Sequence, residues 1–376
     1  MPDSGLAQMS NATLVSAIVL YAVAMLAYAY DFAFGRRSSA AAARSKPERV
    51  ATVALVGAAA GPDLSGHAFP ADPADPSELA DLDLDAVGGP SGSAGSAAAG
   101  SGSGQGAGVA AGALQGRARS RWPEGVWVRA AFALTCAGLA LQLFAIATRG
   151  IAEHRVPWGN MYEFIAAITC AAVIVLVLAS VRFRAYFTGL FVLLPVVLAL
   201  AVDVVVIYTP VGALVPALQS YWIAIHVTGM IIAIGMYVFG AVVTVLYLLV
   251  ARHERRVAAG EIPAAGGVLA QLPGSTLLDR LSYRTILFAF PAWTFAVIAG
   301  AIWADHAWGR YWGWDPKETW SFITWLVYAA YLHARATAGW RGRRAAYIQL
   351  FGFACLMFNL VGVNLWITGL HSYAGL

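Results

Sequence analysis

The chain has 376 residues, of which 60% are hydrophobic and only 12% charged. A soluble protein carries about a quarter of its residues as charges, so this balance excludes an ordinary water-soluble domain. The +4 net charge lies in short arginine clusters between apolar runs, a pattern of orientation in a membrane rather than of nucleic-acid binding.

Several apolar runs reach the roughly 20 residues needed to cross a bilayer. The expected fold class is therefore an all-α polytopic membrane protein of about eight transmembrane helices. The first run, Leu14 to Phe34, ends in Arg36 and Arg37 and reads as a retained helix, because its flank lacks the charged n-region of a signal peptide. Residues 38–121 are low-complexity, rich in Ala, Gly, Ser, Pro and Asp. Such a stretch buries too little apolar surface to order itself and reads as a disordered cytoplasmic linker, with His67 a solvated loop residue.

The second run covers about Val126 to Thr148, and a polar passage with His154 and WGNMYEF (158–164) follows. Further runs are expected at about Phe164–Val181, Tyr186–Ile207, Tyr221–Val250, Ile286–Trp303, Thr319–His333 and Ala345–Leu370. The organisation reads as an N-terminal helix (1–37), the linker (38–121) and a seven-helix core (122–376) with a tryptophan-rich loop at 303–320.

The arginine clusters at 36–37 with 117–121, at 182–184, at 252–256 and at 341–344 all fall in alternate connectors. The positive-inside tendency makes these cytoplasmic and puts both termini outside, together with WGNMYEF and the tryptophan stretch. His226, near the outer start of the fifth run, and His371, after the eighth, face the same side.

Six of the 13 tryptophans lie between Trp303 and Trp325. A buried indole N–H needs a polar partner, so packing alone is a poor reason for that density. A large flat ligand lying on the rings is a better one. Two histidines on the same leaflet suit the iron of haem, whose macrocycle suits aromatic faces and whose propionates suit Lys317 and Arg310. Zinc wants three or four ligands at closer spacing. Cys136, Cys170 and Cys355 form no CxxC, so neither a disulfide framework nor a thiol redox motif is expected. His333 lies 13 residues after Trp320, about 20 Å further along a helix. An ionisable group within an apolar segment marks a functional candidate, although a histidine beside Arg335 also reads as an interfacial residue. His154 and His306 lie in outer loops, and His253 reads as a solvated cytoplasmic residue. Glu163 either complements a helix N-terminus or pairs with an outer-loop arginine, and Asp203 is expected near water. Asp315 and Glu318, three apart around Pro316 and Lys317, have the spacing of a capping box.

These residues resemble the CcsA/ResC type of cytochrome c biogenesis protein (CcsB in some bacteria), the haem-handling subunit of the system II cytochrome c synthase. The resemblance rests on WGRYWGWDPKETW (308–320), the WWD signature. WGNMYEF, SYWIAIHV (220–227), TWLVYAAYLHAR (324–335) and FNLVGVNLWITGLHSYA (358–374) support it. It implies that haem b is the bound cargo, that His226 and His371 are its outer axial ligands, and that His333 is a transmembrane ligand on an earlier site. The resemblance makes Trp308, Trp312, Trp314, Asp315 and Trp320 the haem platform, with Trp158, Asn160, Glu163, Arg310 and Lys317 in support. The family needs a second transmembrane histidine, which no apolar run here offers, so a ResB/Ccs1-like membrane partner is expected to supply it. The other expected partners are an apocytochrome c presenting CxxCH and, indirectly, a thiol reductant pathway. The implied location is the bacterial plasma membrane with the active site outside, and no general acid or base is assigned. A haem exporter or chaperone without attachment activity would use the same residues, and a transporter with an aromatic gate would bind no haem.

Overall fold

A backbone crossing a hydrocarbon layer finds no water for its N–H and C=O groups and must pair them internally, which a helix does. The computed structural model describes residues 4–35, 125–212, 214–263, 267–337 and 339–371, all within one unit of the chain, Met1–Ser45 with Ser120–Leu376. The expected linker, with His67, lies outside the described residues, as do its flanking arginines at 36–37 and 117–121. No strand occurs among the described residues.

In chain order the helices are α1 (Ser4–Tyr30), which continues through a π turn over Asp31–Gly35, α2 (Val126–Glu153), α3 (Met161–Phe183), α4 (Gly189–Val205), α5 (Tyr221–Ala258), α6 (Ser275–Trp308), α7 (Pro316–Ala336) and α8 (Arg343–Met357). α8 continues through a π turn over Phe358–Gly362 into a last short turn, Val363–Trp366. Among the described residues, seven of these are long and apolar enough to cross a membrane; α7 is the exception. With 21 residues it spans about 30 Å, but its tryptophans, tyrosines, His333 and Arg335 make it less apolar. Large side chains such as Phe288, Leu326 and Phe351 stand exposed on the helix faces, as they do on a surface solvated by lipid tails.

Two helices outrun the expected spans. α5 passes Val250 to end at Ala258, and α6 begins at Ser275 rather than near Ile286 and ends at Trp308 rather than Trp303. The extra turns carry Arg255, Asp279, Arg280 and Arg284, so an apolar window does not register them although helical hydrogen bonding continues. Trp303 and Trp308 are therefore helical. Gly309, at φ 69°, ends α6 by returning its N–H to the Asp305 carbonyl at 2.8 Å, the left-handed stop that glycine adopts most readily.

The core falls into two clusters. One joins α1 to α4 with the far half of α5 and the first turns of α6. Buried hydrogen bonds tie it: Tyr21 donates to Gln142 Oε1 (2.8 Å), and Gln142 donates to the Ala166 carbonyl (2.9 Å). The other joins α3, α5, α6, α7 and α8 around Trp293, Tyr237 and Tyr328. α7 enters it through Thr324, Tyr328 and Tyr331, all at most 1% exposed. These sit at i, i+4 and i+7, one face of a helix.

Candidate functional site

Above the second cluster lies a cleft partly open to solvent. The start of α3, the near halves of α5 and α6, the start of α7 and the end of α8 enclose it. Its walls are largely apolar, with Trp158, Trp293, Trp303, Trp308 and Trp312 around it. Such a surface suits a large flat apolar ligand.

His226 lies in the second turn of α5, whose start is capped by Ser220 accepting from the Trp222 N–H at 3.3 Å. Its Nδ1 sits 2.8 Å from the Ala296 carbonyl of α6. A carbonyl only accepts, so Nδ1 carries the proton and Nε2 keeps its lone pair. The ring stacks on Trp303 at 5.9 Å between centroids and 5° between planes. On the α6 side, a Cβ at position 300 would come within 2.7 Å of the imidazole, so Gly300 is what lets the ring lie against that helix.

His371 follows the last turn of α8 and is held from α7. Its Nδ1 is 2.7 Å from Asp315 Oδ2. Asp315 also accepts from the Leu370 N–H (2.6 Å) and the Lys317 N–H (3.2 Å). Burial alone would raise the Asp315 carboxyl, but the hydrogen bonds from His371 and from the two backbone N–H groups outweigh it and hold it below the usual carboxylate range. The carboxylate therefore accepts and His371 donates from Nδ1. Its ring lies 4.9 Å from Trp308 and 5.6 Å from Trp303. Trp303 thus contacts both histidines. The capping box is complete, because Glu318 Oε2 accepts from the N–H groups of Gly313 (2.8 Å) and Asp315 (3.0 Å).

One wall is polar. Lys317 Nζ donates to the Asn359 carbonyl (3.2 Å), and Asn359 Nδ2 donates to Ser321 Oγ (2.9 Å). Trp158 Nε1, Glu318 Oε1 and Asn359 Oδ1, all on cleft residues, are buried without a hydrogen-bond partner in the protein. Buried polar atoms are normally satisfied, so these three mark where a ligand or water completes the site.

An ion-pair quartet holds the loop that carries Trp158. Glu163 meets Arg155 at 2.9 Å and Arg149 at 3.3 Å, and Glu153 meets the same two arginines at 2.7 and 3.2 Å. Glu163 also accepts from the Gly159 N–H (2.8 Å) and Asn160 Nδ2 (2.9 Å), while Asn160 caps α3 through the Glu163 N–H (2.9 Å). Glu153 was not apparent from the sequence, although its place two residues before Arg155 in a polar passage was a usable signal.

The structure brings His226, His371, Trp308, Trp312, Trp158, Asn160 and Lys317 to the cleft, with Asp315 and Glu163 directly behind it. It adds Trp293, Trp303 and Asn359, which the sequence reading did not single out. Other named residues stand apart from its walls. Trp314, at φ 57°, is turned outward and 67% exposed, edge-on to Trp312. Trp320 packs on Phe358 at 4.3 Å, and Arg310 packs against Gly313. His333 is exposed in the last turn of α7. His306 is edge-on to Trp222, and His154 caps the end of α2 with φ 52°. Asp203 differs from the expectation of contact with water: it is wholly buried, and neither carboxylate oxygen has a hydrogen-bond partner. Its position near a span end carried no information about which face of α4 packs inward.

A family model described as cytochrome C assembly protein matches residues 158–371, more than half of the chain. Those bounds run from the first cleft tryptophan to the last cleft histidine. Among similar proteins, the cytochrome c biogenesis protein CcsA of Guillardia theta is 38% identical over 248 residues, covering 61% of this chain and 81% of that protein. CcsA of Gloeobacter violaceus is 36% identical over 278 residues, covering 61% and 82%. CcsA of Gloeothece citriformis is 33% identical over 300 residues, covering 66% and 91%. With the matched region coinciding with the helices that build the cleft, the chain belongs to the cytochrome c assembly protein family, in its CcsA branch.

Proposed function

We propose that the cleft holds haem as cargo, with His226 and His371 as its axial ligands, and that the chain presents it for covalent attachment to an apocytochrome c. The observation that carries this reading is the pair of imidazoles on one aromatic cleft, each with Nδ1 tied to a protein oxygen. Metal-binding histidines are oriented by this kind of second contact. The residues fit haem in other respects. The indole walls match an apolar disc, and Lys317 with the unsatisfied Trp158 N–H offers donors for propionates.

In this reading the protein's part is to position two reactants. The substrate's CxxCH approaches the open side of the cleft. Each thiol adds across a haem vinyl group: the S–H and C=C bonds are lost, C–S and C–H bonds form, and no outside oxidant is consumed. The substrate histidine then replaces one axial ligand. His371 is the more easily displaced, because it sits on a short C-terminal turn, whereas His226 is built into a 38-residue helix. No side chain of this chain is assigned as a general acid or base.

His333 stands outside the cleft on an exposed helix face, where a second membrane protein of ResB/Ccs1 type would supply the opposing ligand of an earlier haem site. The arginine clusters support a plasma-membrane orientation with the cleft on the outer side. Co-expression with that partner and an apocytochrome tests the assignment. Covalent haem that survives denaturation supports a synthase subunit, and haem that is bound but never attached supports an exporter or chaperone.

A further inference from the structure

A second cleft, open to solvent, lies between the far end of α5, the start of α6 and the turn joining α7 to α8. Arg255, Arg341, Arg343 and Arg344 line it. None of the four makes an ion pair with a carboxylate among the described residues, whereas the neighbouring Arg256 pairs with Glu261 at 2.9 Å. The acid in the cleft, Glu254, is engaged by the first N–H of α6, Ser275, at 2.9 Å. Arg255 is partly anchored, its Nε donating to the Ala251 carbonyl at 3.0 Å, which fixes one edge of its guanidinium.

Four guanidinium groups on one concavity repel one another unless an anion sits among them. The rim indicates which anion. Trp340 and Tyr347 are 40% and 58% exposed beside the arginines, and amphipathic aromatics beside basic residues belong at the headgroup level of a membrane. The Tyr247 ring, with Ala251 and Ala258, adds apolar lining that a glycerol backbone and first acyl carbons can cover. Guanidinium groups match phosphate oxygens in geometry as well as charge.

We propose that this cleft is a binding site for the phosphate headgroup of an anionic phospholipid. The bound lipid neutralises the arginines and clamps the α7–α8 turn against the end of α5. The site lies at the helix ends remote from the aromatic cleft, so it is not part of the haem-handling machinery proposed above and does not depend on that assignment. Basic pockets between transmembrane helices bind anionic headgroups by the same physics.

The test uses the full chain in detergent, with phosphatidylglycerol, phosphatidylcholine or inorganic phosphate added, followed by native mass spectrometry and thermal unfolding. Phosphatidylglycerol should be retained about tenfold more strongly than phosphatidylcholine and should raise the unfolding temperature. Inorganic phosphate, lacking the glycerol and acyl chains, should do neither at the same concentration. The Arg341→Gln/Arg343→Gln/Arg344→Gln variant should bring the preference to within about twofold, and Arg255→Gln alone should weaken it. Arg252→Gln, which is outside the cleft, should leave it intact. Equal retention of the two lipids by the unaltered chain would overturn the proposal. So would an equal effect of inorganic phosphate, or loss of the preference in Arg252→Gln.

Discussion

His371 and Asp315 are 56 residues apart, yet the imidazole Nδ1 lies 2.7 Å from the carboxylate. Because Asp315 is also the N-cap of α7, the helix start and the terminal histidine form one hydrogen-bonded unit. A residue that reads locally as a cap thereby also orients the imidazole of a proposed ligand. Asp315→Asn keeps a cap but removes the charge, and should weaken haem binding by about 10–100-fold, the usual cost of losing a carboxylate behind a metal-bound histidine. Asp315→Ala should lose the cap as well, costing about 1 kcal/mol more in stability. Haem titration and thermal unfolding of the two variants separate the effects.

The same pair carries a pH dependence. Its folded carboxyl is held below the ordinary range, so its contribution is fully present above the unfolded value, about 3.9. That contribution is lost as pH falls through the lower folded value. The carboxylate's share of the stability difference between the unaltered chain and Asp315→Asn should be present at pH 5 and shrink below about pH 4. A difference that grew on acidification would mean that the carboxyl is raised rather than lowered.

Gly300 tests the other histidine. Alanine favours a helix interior over glycine by about 1 kcal/mol, yet its Cβ would stand 2.7 Å from the His226 ring. Gly300→Ala should therefore fold with near-normal stability and lose the His226 contribution to ligand binding, seen as an altered haem spectrum. An unchanged spectrum would show that the ring has room to move without consequence.

Glu163 holds two arginines and the Trp158 loop. Side chains in the quartet are at most 15% exposed, and breaking a buried ion pair from one side costs about 3–5 kcal/mol. Glu163→Gln should lower the unfolding temperature sharply. Trp158→Phe, which keeps an aromatic ring against the second cluster but removes the indole N–H, should largely spare stability and reduce haem retention. Thermal unfolding with haem quantification distinguishes the two outcomes.

His333 lies on an exposed face of α7, outside the cleft. His333→Ala should leave stability and the haem spectrum of the aromatic cleft unchanged when haem is added to the purified protein. In cells co-expressing the partner, it should reduce covalent attachment. A lost cleft spectrum in vitro would merge the two sites into one.

Much of this was legible in the chain. Apolar runs located the spans because a bilayer imposes a length, and the alternating arginine clusters placed His226 and His371 on one side. The capping box at Asp315 and Glu318 was readable because both partners lie within one turn. What could not be read were contacts across the fold. The partners that orient the two imidazoles lie 70 and 56 residues away, and no local pattern encodes them. Trp303 looked like one tryptophan among six, and only the pairing of α5 with α6 makes it the ring against both histidines. Conversely, Trp314 and Trp320 belong to the signature, yet the backbone turns one outward and packs the other on Phe358. Asp203 was misjudged because depth along a helix says nothing about which face is inward.

The central claim, that His226 and His371 share one haem, is tested most directly by the absorption spectrum of the purified chain reconstituted with haem. The chain should show a low-spin bis-histidine spectrum. Each of His226→Ala and His371→Ala should convert it to a weaker, singly ligated form, and the double variant should lose it. A bis-histidine spectrum that persists in the double variant would contradict the claim.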